Sequence, residues 1–184
     1  MITTPDGAID INGRSGPLGG PVDQARLKSL RAVASVVLVG AGTARAEKYG
    51  PPSQPGLQIA VVTNTAELDF SSALFTSGAG IVATHHAAPK VPVASLRAGT
   101  DNVDLAGIIQ QLPHGIVHVE GGPMLNAALL EADLVDAINL TFSPRLTGAR
   151  GMSFAQAPHA LRAFTQTSLE IQDDFVFVRY ERQL

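Results

Sequence analysis

Four short apolar runs constrain this 184-residue chain more than any other feature. They are Val36-Val37-Leu38-Val39, Ile59-Ala60-Val61-Val62, Ile81-Val82-Ala83 and Ile116-Val117-His118-Val119. Each is too short for a helix and too uniformly apolar for a strand wet on one side. They predict strands buried on both faces, hence a largely parallel sheet covered by helices. Helical patterns fall between them. Asp23 suits the N-cap of a helix running to about Ala34, with Leu27, Leu30, Arg31 and Ala34 along it. Val103 to Leu112 places Leu105, Ile108, Ile109 and Leu112 on one face. Pro123 to Ala132 has proline in its first turn and Leu125, Leu129 and Leu130 facing inward. Towards the C-terminus, Ala137 to Phe142, Ser168 to Gln172 and Phe175 to Tyr180 alternate without helices between them, and Asp173-Asp174 suits a tight hairpin. The expectation is one α/β domain, its sheet mixed and mostly parallel with an antiparallel C-terminal edge.

Composition narrows the function. Thirteen Lys+Arg against 16 Asp+Glu leave a net charge of −3, and 45% of residues are hydrophobic against 16% charged. So little charge favours collapse over disorder. Without cysteine there is no zinc finger, iron–sulfur cluster, thiol nucleophile or disulfide framework. The mild acidity argues against nucleic acid, whose phosphates require a basic face. The polar, proline-broken start shows no signal peptide, and runs such as Val33 to Ala41 fall short of the ~20 residues that span a bilayer. A cytoplasmic enzyme acting on a small molecule, with no membrane partner, is expected.

Two glycine motifs follow predicted strands. Gly40-Ala41-Gly42-Thr43 would let backbone approach a phosphate, with a following helix aiming its N–H groups at the anion. It lacks the third small residue of the dinucleotide fingerprint. The next strand ends Val62-Thr63-Asn64 with no acid before Glu67, which suits a nucleotide carrying a 2′-phosphate; a plain strand-to-helix turn is the alternative. Glu120-Gly121-Gly122-Pro123 puts a carboxylate at a strand tip beside a helix start, with solvated glutamate and turn glycines as its alternative. The opening segment, Thr4-Pro5-Asp6-Gly7 and Gly13-Arg14-Ser15-Gly16-Pro17-Leu18-Gly19-Gly20, reads as a substrate flap or a turn-rich end. His85, His86, His114, His118 and His159 show no HxH or HExxH spacing, so no metal site is expected. Ser15, Ser143 and Ser153 lack the G-x-S-x-G context of a nucleophile. Arg26, Arg45, Arg145 and Arg150 read as surface charge, whereas Arg31 stands late on a helix just before the first clear strand.

Several segments match one family in order: Thr4-Pro5-Asp6-Gly7, Gly13 to Leu18, Leu30-Arg31-Ala32, Val39 to Glu47, Val119 to Pro123, Leu134-Val135-Asp136, Ser143-Pro144 and Arg179-Tyr180. The chain resembles the reductase domain of the riboflavin-biosynthesis deaminase/reductase, the pyrimidine reductases of dihydrofolate-reductase-like fold. That resemblance implies a three-layer domain with helices on both faces of the sheet, an NADPH cofactor and a homodimer. It implies hydride transfer to the ring-opened ribose of 5-amino-6-(5-phosphoribosylamino)uracil, with a dihydrofolate- or pterin-type reductase, or an NADPH-binding protein without turnover, as alternatives.

By the same resemblance the cofactor meets Pro17, Gly40, Gly42, Thr43, Glu47, Thr63 and Asn64, and its phosphates meet Gly121, Gly122, Pro123, Met124 and Leu125. Ser15, Arg31 and Glu120 bind substrate. Asp6 and Glu120 are the catalytic carboxylates; either could give the proton if burial raised its pKa, and water is the other donor. The sequence departs from the family pattern in several places. Only Met1-Ile2-Thr3 precedes the Asp6 segment where a first strand is usual, so that strand is expected to be lacking or truncated. Threonine and proline stand ahead of Asp6 in place of serine and leucine. Ala8 and Gln54 occupy positions where basic residues are expected, and no deaminase domain is expected alongside.

Overall fold

The computed structural model describes residues 1–148, 152–155 and 162–183. The chain divides into two compact units, Leu30–Leu125 and Met1–Ser29 with Asn126–Leu184.

In the first of these units, five strands form a wholly parallel sheet. They are β2 (Val36–Gly40), β3 (Gln58–Val62), β4 (Gly80–Thr84), β5 (Ser95–Arg97) and β6 (Val117–Val119), in the order β5-β4-β3-β2-β6. Val36, Val37, Leu38 and Val39 are completely buried, as their run required. Burying each such side chain contributes roughly 1.5–3 kcal/mol. By contrast, Val117, His118 and Val119 of β6, at the edge of the sheet, are only half-buried. Val37, Val39, Ile59, Val61 and Val82 pack with Leu74 and Phe75 of α3 (Ala73–Thr76) into one core. Helix α2 (Ala41–Ala46) follows β2 without a break. Helix α4 (Leu105–Gln111) starts later than the pattern suggests, because the Asp104 side chain caps it by accepting the Gly107 N–H at 3.1 Å.

The strand order carries the functional consequence. From β2 the chain winds outward through β3, β4 and β5, then returns to place β6 on the opposite side of β2. The carboxyl ends of β2 and β6 therefore flank a topological switch point, where open α/β sheets bind ligands.

The other unit is a mixed sheet of β1 (Ile2–Thr3), β7 (Ala137–Phe142), β9 (Phe175–Arg182) and β8 (Phe164–Gln172), in the order β1-β7-β9-β8. β1 runs parallel to β7, and the other pairs are antiparallel. A two-residue strand thus precedes Asp6. Asp173 and Asp174 both adopt positive φ (49° and 66°), forming the expected hairpin turn between β8 and β9. β8 begins at Phe164, earlier than its alternation indicates, because a bulge between Gln166 and Ser168 shifts its register.

Two helices cross the boundary between the units in sequence. Helix α1 (Pro21–Ala32) begins at Pro21, so Asp23 lies in the first turn instead of capping it. Proline at the first helical position fixes that start, because its missing N–H has no intrahelical role there. Helix α5 (Pro123–Glu131) begins with proline as the pattern predicts. Among the described residues, no helix is long and apolar enough to cross a membrane.

Candidate active site

Glu120 follows β6 directly, and its backbone N–H donates to the Leu38 carbonyl of β2 at 2.9 Å. Its side chain is only 5% exposed. Arg31, on the last turn of α1, approaches it side-on, Nε donating to Oε1 at 2.5 Å and Nη2 to Oε2 at 2.6 Å. This fork geometry is the strongest way an arginine meets a carboxylate. Tyr49 donates its hydroxyl to Oε2 at 2.5 Å, and its ring lies 5.8 Å from the Arg31 guanidinium carbon. His118, two residues back along β6, brings Nε2 to 3.5 Å from Oε1, and this buried nitrogen has no hydrogen-bond partner.

The electrostatics follow from burial and pairing. Burial pushes the Glu120 carboxyl up, but Arg31 and Tyr49 more than reverse this and hold it below the usual range. Arg31 is pushed up in turn, chiefly by its bonds to Glu120. Burial, reinforced by the Glu120 charge, raises the Tyr49 phenol, so it remains a donor. Burial lowers His118 against the opposing pull of Glu120, leaving a neutral imidazole. The cluster is an ionised carboxylate held by three donated hydrogen bonds, two from Arg31 and one from Tyr49.

Beside it, the two glycine motifs meet. Gly40 N–H donates to the Gly121 carbonyl at 2.7 Å. Gly121 has φ of 86°, which disfavours a side chain, and the Gly121–Gly122 peptide bond is cis. A Cβ on Gly122 would collide with Thr43 Oγ1, whereas a Cβ on Gly42 would meet nothing within 4 Å. The Gly42 backbone is therefore open to a ligand. Met124 is 70% exposed at the start of α5, and the first turn of that helix carries no acid. Free N–H groups there favour an anion.

Other expected residues stand elsewhere in the same unit. Glu47 ends α2, its N–H bonded to the Thr43 carbonyl at 2.9 Å. Thr63 Oγ1 accepts the Ala66 N–H at 3.1 Å, and Asn64 Oδ1 accepts the Val103 N–H at 3.0 Å, so both side chains shape the loop after β3. Arg45 reaches the same loop, donating to the Glu67 carbonyl at 3.0 Å.

Asp6, Ser15 and Pro17 belong to the other unit. Exposed Asp6 accepts from Thr147 N–H at 3.2 Å, Thr147 Oγ1 at 3.1 Å and Gly148 N–H at 2.9 Å. The Thr4 hydroxyl and the Gly148 amide bring its carboxyl down to about 2. Neither Asp6 nor Glu120 is thus raised towards the range where a carboxylic acid donates a proton at neutral pH. Ser15 precedes a 3-10 turn at Gly16–Leu18 that contains Pro17. Ala8 is 2% exposed and packed within the Thr4–Ala8 turn. Arg26 pairs with Glu170 over the Phe177 ring, and Arg145 donates to the Leu18 and Gly19 carbonyls, so these arginines serve local structure. Arg150 and His159 lie outside the described residues. Among the described residues, no three His, Asp or Glu side chains gather as a metal site would require.

The sequence does not single out Tyr49, and His118 enters it only as a histidine without metal-ligand spacing. Tyr49 is one of only two tyrosines, and its place just past the end of α2 was the available signal. His118 stands two residues before Glu120 on a strand, and period-two alternation puts both on one side.

A family model described as the RibD C-terminal domain matches residues 1–177. No curated protein matches the chain. Among solved structures, a pyrimidine reductase-like protein from Corynebacterium diphtheriae is 24% identical, with a TM-score of 0.84 over all of this chain and 90% of that one. A Thermotoga maritima diaminohydroxyphosphoribosylaminopyrimidine deaminase/5-amino-6-(5-phosphoribosylamino)uracil reductase is 20% identical with a TM-score of 0.73; the match covers 99% of this chain but spans only 55% of that protein. Dihydrofolate reductase from Enterococcus faecalis, solved with NADP(H), is 15% identical with a TM-score of 0.64, covering 100% of this chain and 94% of that one. The fold is that of dihydrofolate reductase.

Proposed function

The chain belongs to the RibD C-terminal domain family, and on that premise we propose that it is an NADPH-dependent reductase of 5-amino-6-(5-phosphoribosylamino)uracil, acting in riboflavin biosynthesis in the cytoplasm. One observation carries this reading: an ionised, buried carboxylate, Glu120, stands at the β2–β6 switch point against a glycine-built opening. A donor edge on a pyrimidine ring is the natural complement of such a carboxylate. The open backbone at Gly42 and the acid-free start of α5 suit the phosphates of a dinucleotide.

When bound, NADPH would supply a hydride for reduction of the aldehyde or imine carbon of the opened ribose. The residues that would hold it are Gly40, Gly42, Thr43 and Glu47 after β2, Thr63 and Asn64 after β3, and Gly121 to Leu125 at the start of α5. We also assign Pro17 to the cofactor, on the family resemblance alone. Arg31 orients Glu120, and Arg31, Glu120 and Ser15 bind the substrate. Asp6 anchors the backbone at Thr147 and Gly148. With Asp6 and Glu120 both held ionised, we assign the proton of the reduction to water. Neutral Ala8 and Gln54 leave the ribose phosphate with fewer charge-assisted bonds than two cations would make, each roughly twice a neutral one.

A homodimer completes the reading. Leu169 and Ile171 on the edge strand β8 are 54% and 68% exposed, and they stand opposite Val178 and Val176 on one side of the mixed sheet. An apolar strip of this kind marks an association surface. The test of the function is NADPH consumption with the phosphoribosylaminouracil, run beside dihydrofolate. Turnover of the first alone is expected; turnover of dihydrofolate alone, or of neither, overturns the assignment.

A further inference from the structure

A carboxylate offers about four acceptor positions in its plane. In Glu120, Arg31 fills one on each oxygen. On Oε1 the next polar atom is His118 Nε2, 3.5 Å away and not hydrogen-bonded to it, and the remaining position on Oε2 is filled by the Tyr49 hydroxyl at 2.5 Å. A ligand edge that spans both carboxylate oxygens must therefore displace the Tyr49 hydroxyl from Oε2.

The three partners are not equally fixed. Arg31 is charged and doubly bonded, so its removal is the costliest. His118 is built into β6, two residues from the carboxylate itself. Tyr49 makes one bond from a neutral hydroxyl, and it sits in the turn after α2, where Lys48 has a left-handed φ of 52°. The Tyr49 N–H is tied to the Ala44 carbonyl at 3.0 Å and the ring packs against the parallel-sheet core, which leaves the single hydroxyl bond as the contact a ligand would replace.

We propose that Tyr49 is a displaceable placeholder on Glu120: its hydroxyl occupies the acceptor position that a donor edge of the substrate ring takes, which makes it a positioning residue that sets substrate affinity. The inference rests on Glu120 being the substrate carboxylate. Tyr49 keeps the empty site's carboxylate satisfied and raises the threshold for ligands too weak to replace it.

The chain has two tyrosines and no tryptophan, so in a Tyr180→Phe background the tyrosine emission comes from Tyr49 alone. A phenol bonded to a carboxylate is quenched. Titration with 5,6-diaminouracil is expected to raise this emission. Tyr49→Phe, which keeps the ring over Arg31, is expected to bind the probe roughly 10- to 100-fold tighter, on the scale of one hydrogen bond to a charged group. Its KM for the phosphoribosylaminouracil should fall by a similar factor, with a smaller change in kcat. Probe binding without an emission change, or a Tyr49→Phe variant that binds equally or more weakly, overturns the proposal. Turnover by the wild type with that result would leave the proposed function standing. Absence of both binding and turnover in wild type and variant overturns the assignment of Glu120 as the substrate carboxylate, and the placeholder with it.

Discussion

Arg31 and Glu120 lie 89 residues apart in sequence and meet edge to edge, two parallel N–H···O bonds of 2.5 and 2.6 Å joining guanidinium to carboxylate. The last turn of α1 and the tip of β6 are thereby locked at the point where the parallel sheet changes winding direction. The charge of the site is set by this pair, because it reverses the effect of burial on Glu120.

Removing one partner should cost more than removing both. Arg31→Met leaves a charge in a position only 5% exposed, and breaking buried pairs is typically worth several kcal/mol. Since the Arg31 side chain is itself 27% exposed, the expected loss is roughly 2–4 kcal/mol, smaller than for a fully enclosed pair. The Arg31→Met/Glu120→Met double variant should recover most of it. Urea denaturation of the three proteins measures the difference.

Acid should destabilise the protein in two stages. His118 has a folded pKa below its ordinary 6.5, so its contribution is present above that value and is lost as pH falls through the folded one. Glu120 is likewise depressed, from 4.5, and its contribution goes only below that. Thermal melting followed downward from neutral pH should show both stages, and His118→Gln should flatten the first alone.

Gly122 and Thr43 should behave as a coupled pair. A methyl on Gly122 meets the Thr43 hydroxyl but lies 3.7 Å from its Cβ, an ordinary contact. Gly122→Ala should destabilise by about 1–3 kcal/mol, as overpacking does, and weaken NADP+ binding. Adding Thr43→Ala should restore most of the stability. A double-mutant cycle by urea denaturation, with calorimetric NADP+ titration, reads both effects.

The parts of this fold visible in the sequence are those with a local cause. The uninterrupted apolar runs marked β2, β3 and β4 because strands buried on both faces leave no polar alternation. Asp173-Asp174 marked the hairpin because two successive left-handed residues favour such side chains. The start of α1 falls two residues before Asp23 because Pro21, which has no N–H to leave unpaired, takes the first helical position. β5 is three residues long and holds a serine and an arginine, too little for any pattern. In the site, Glu120 and the glycines were legible from their place after a strand. Tyr49 was not, because its meaning depends on a contact 71 residues away.

The proposed dimer puts the outer strip of β8 against a second copy. Leu169→Glu with Ile171→Glu should shift the protein to monomers in sedimentation velocity while thermal unfolding stays cooperative, since both side chains are more than half exposed in the single chain. A wild type that sediments as a monomer would remove that surface from the account.

The most direct test of the central claim is the rate of NADPH oxidation with 5-amino-6-(5-phosphoribosylamino)uracil, compared between wild type and Glu120→Gln. The account predicts turnover by the wild type and a fall in kcat/KM of roughly 10- to 100-fold in the variant, the worth of one or two charged hydrogen bonds. No oxidation by the wild type, or equal rates in the two proteins, would contradict it.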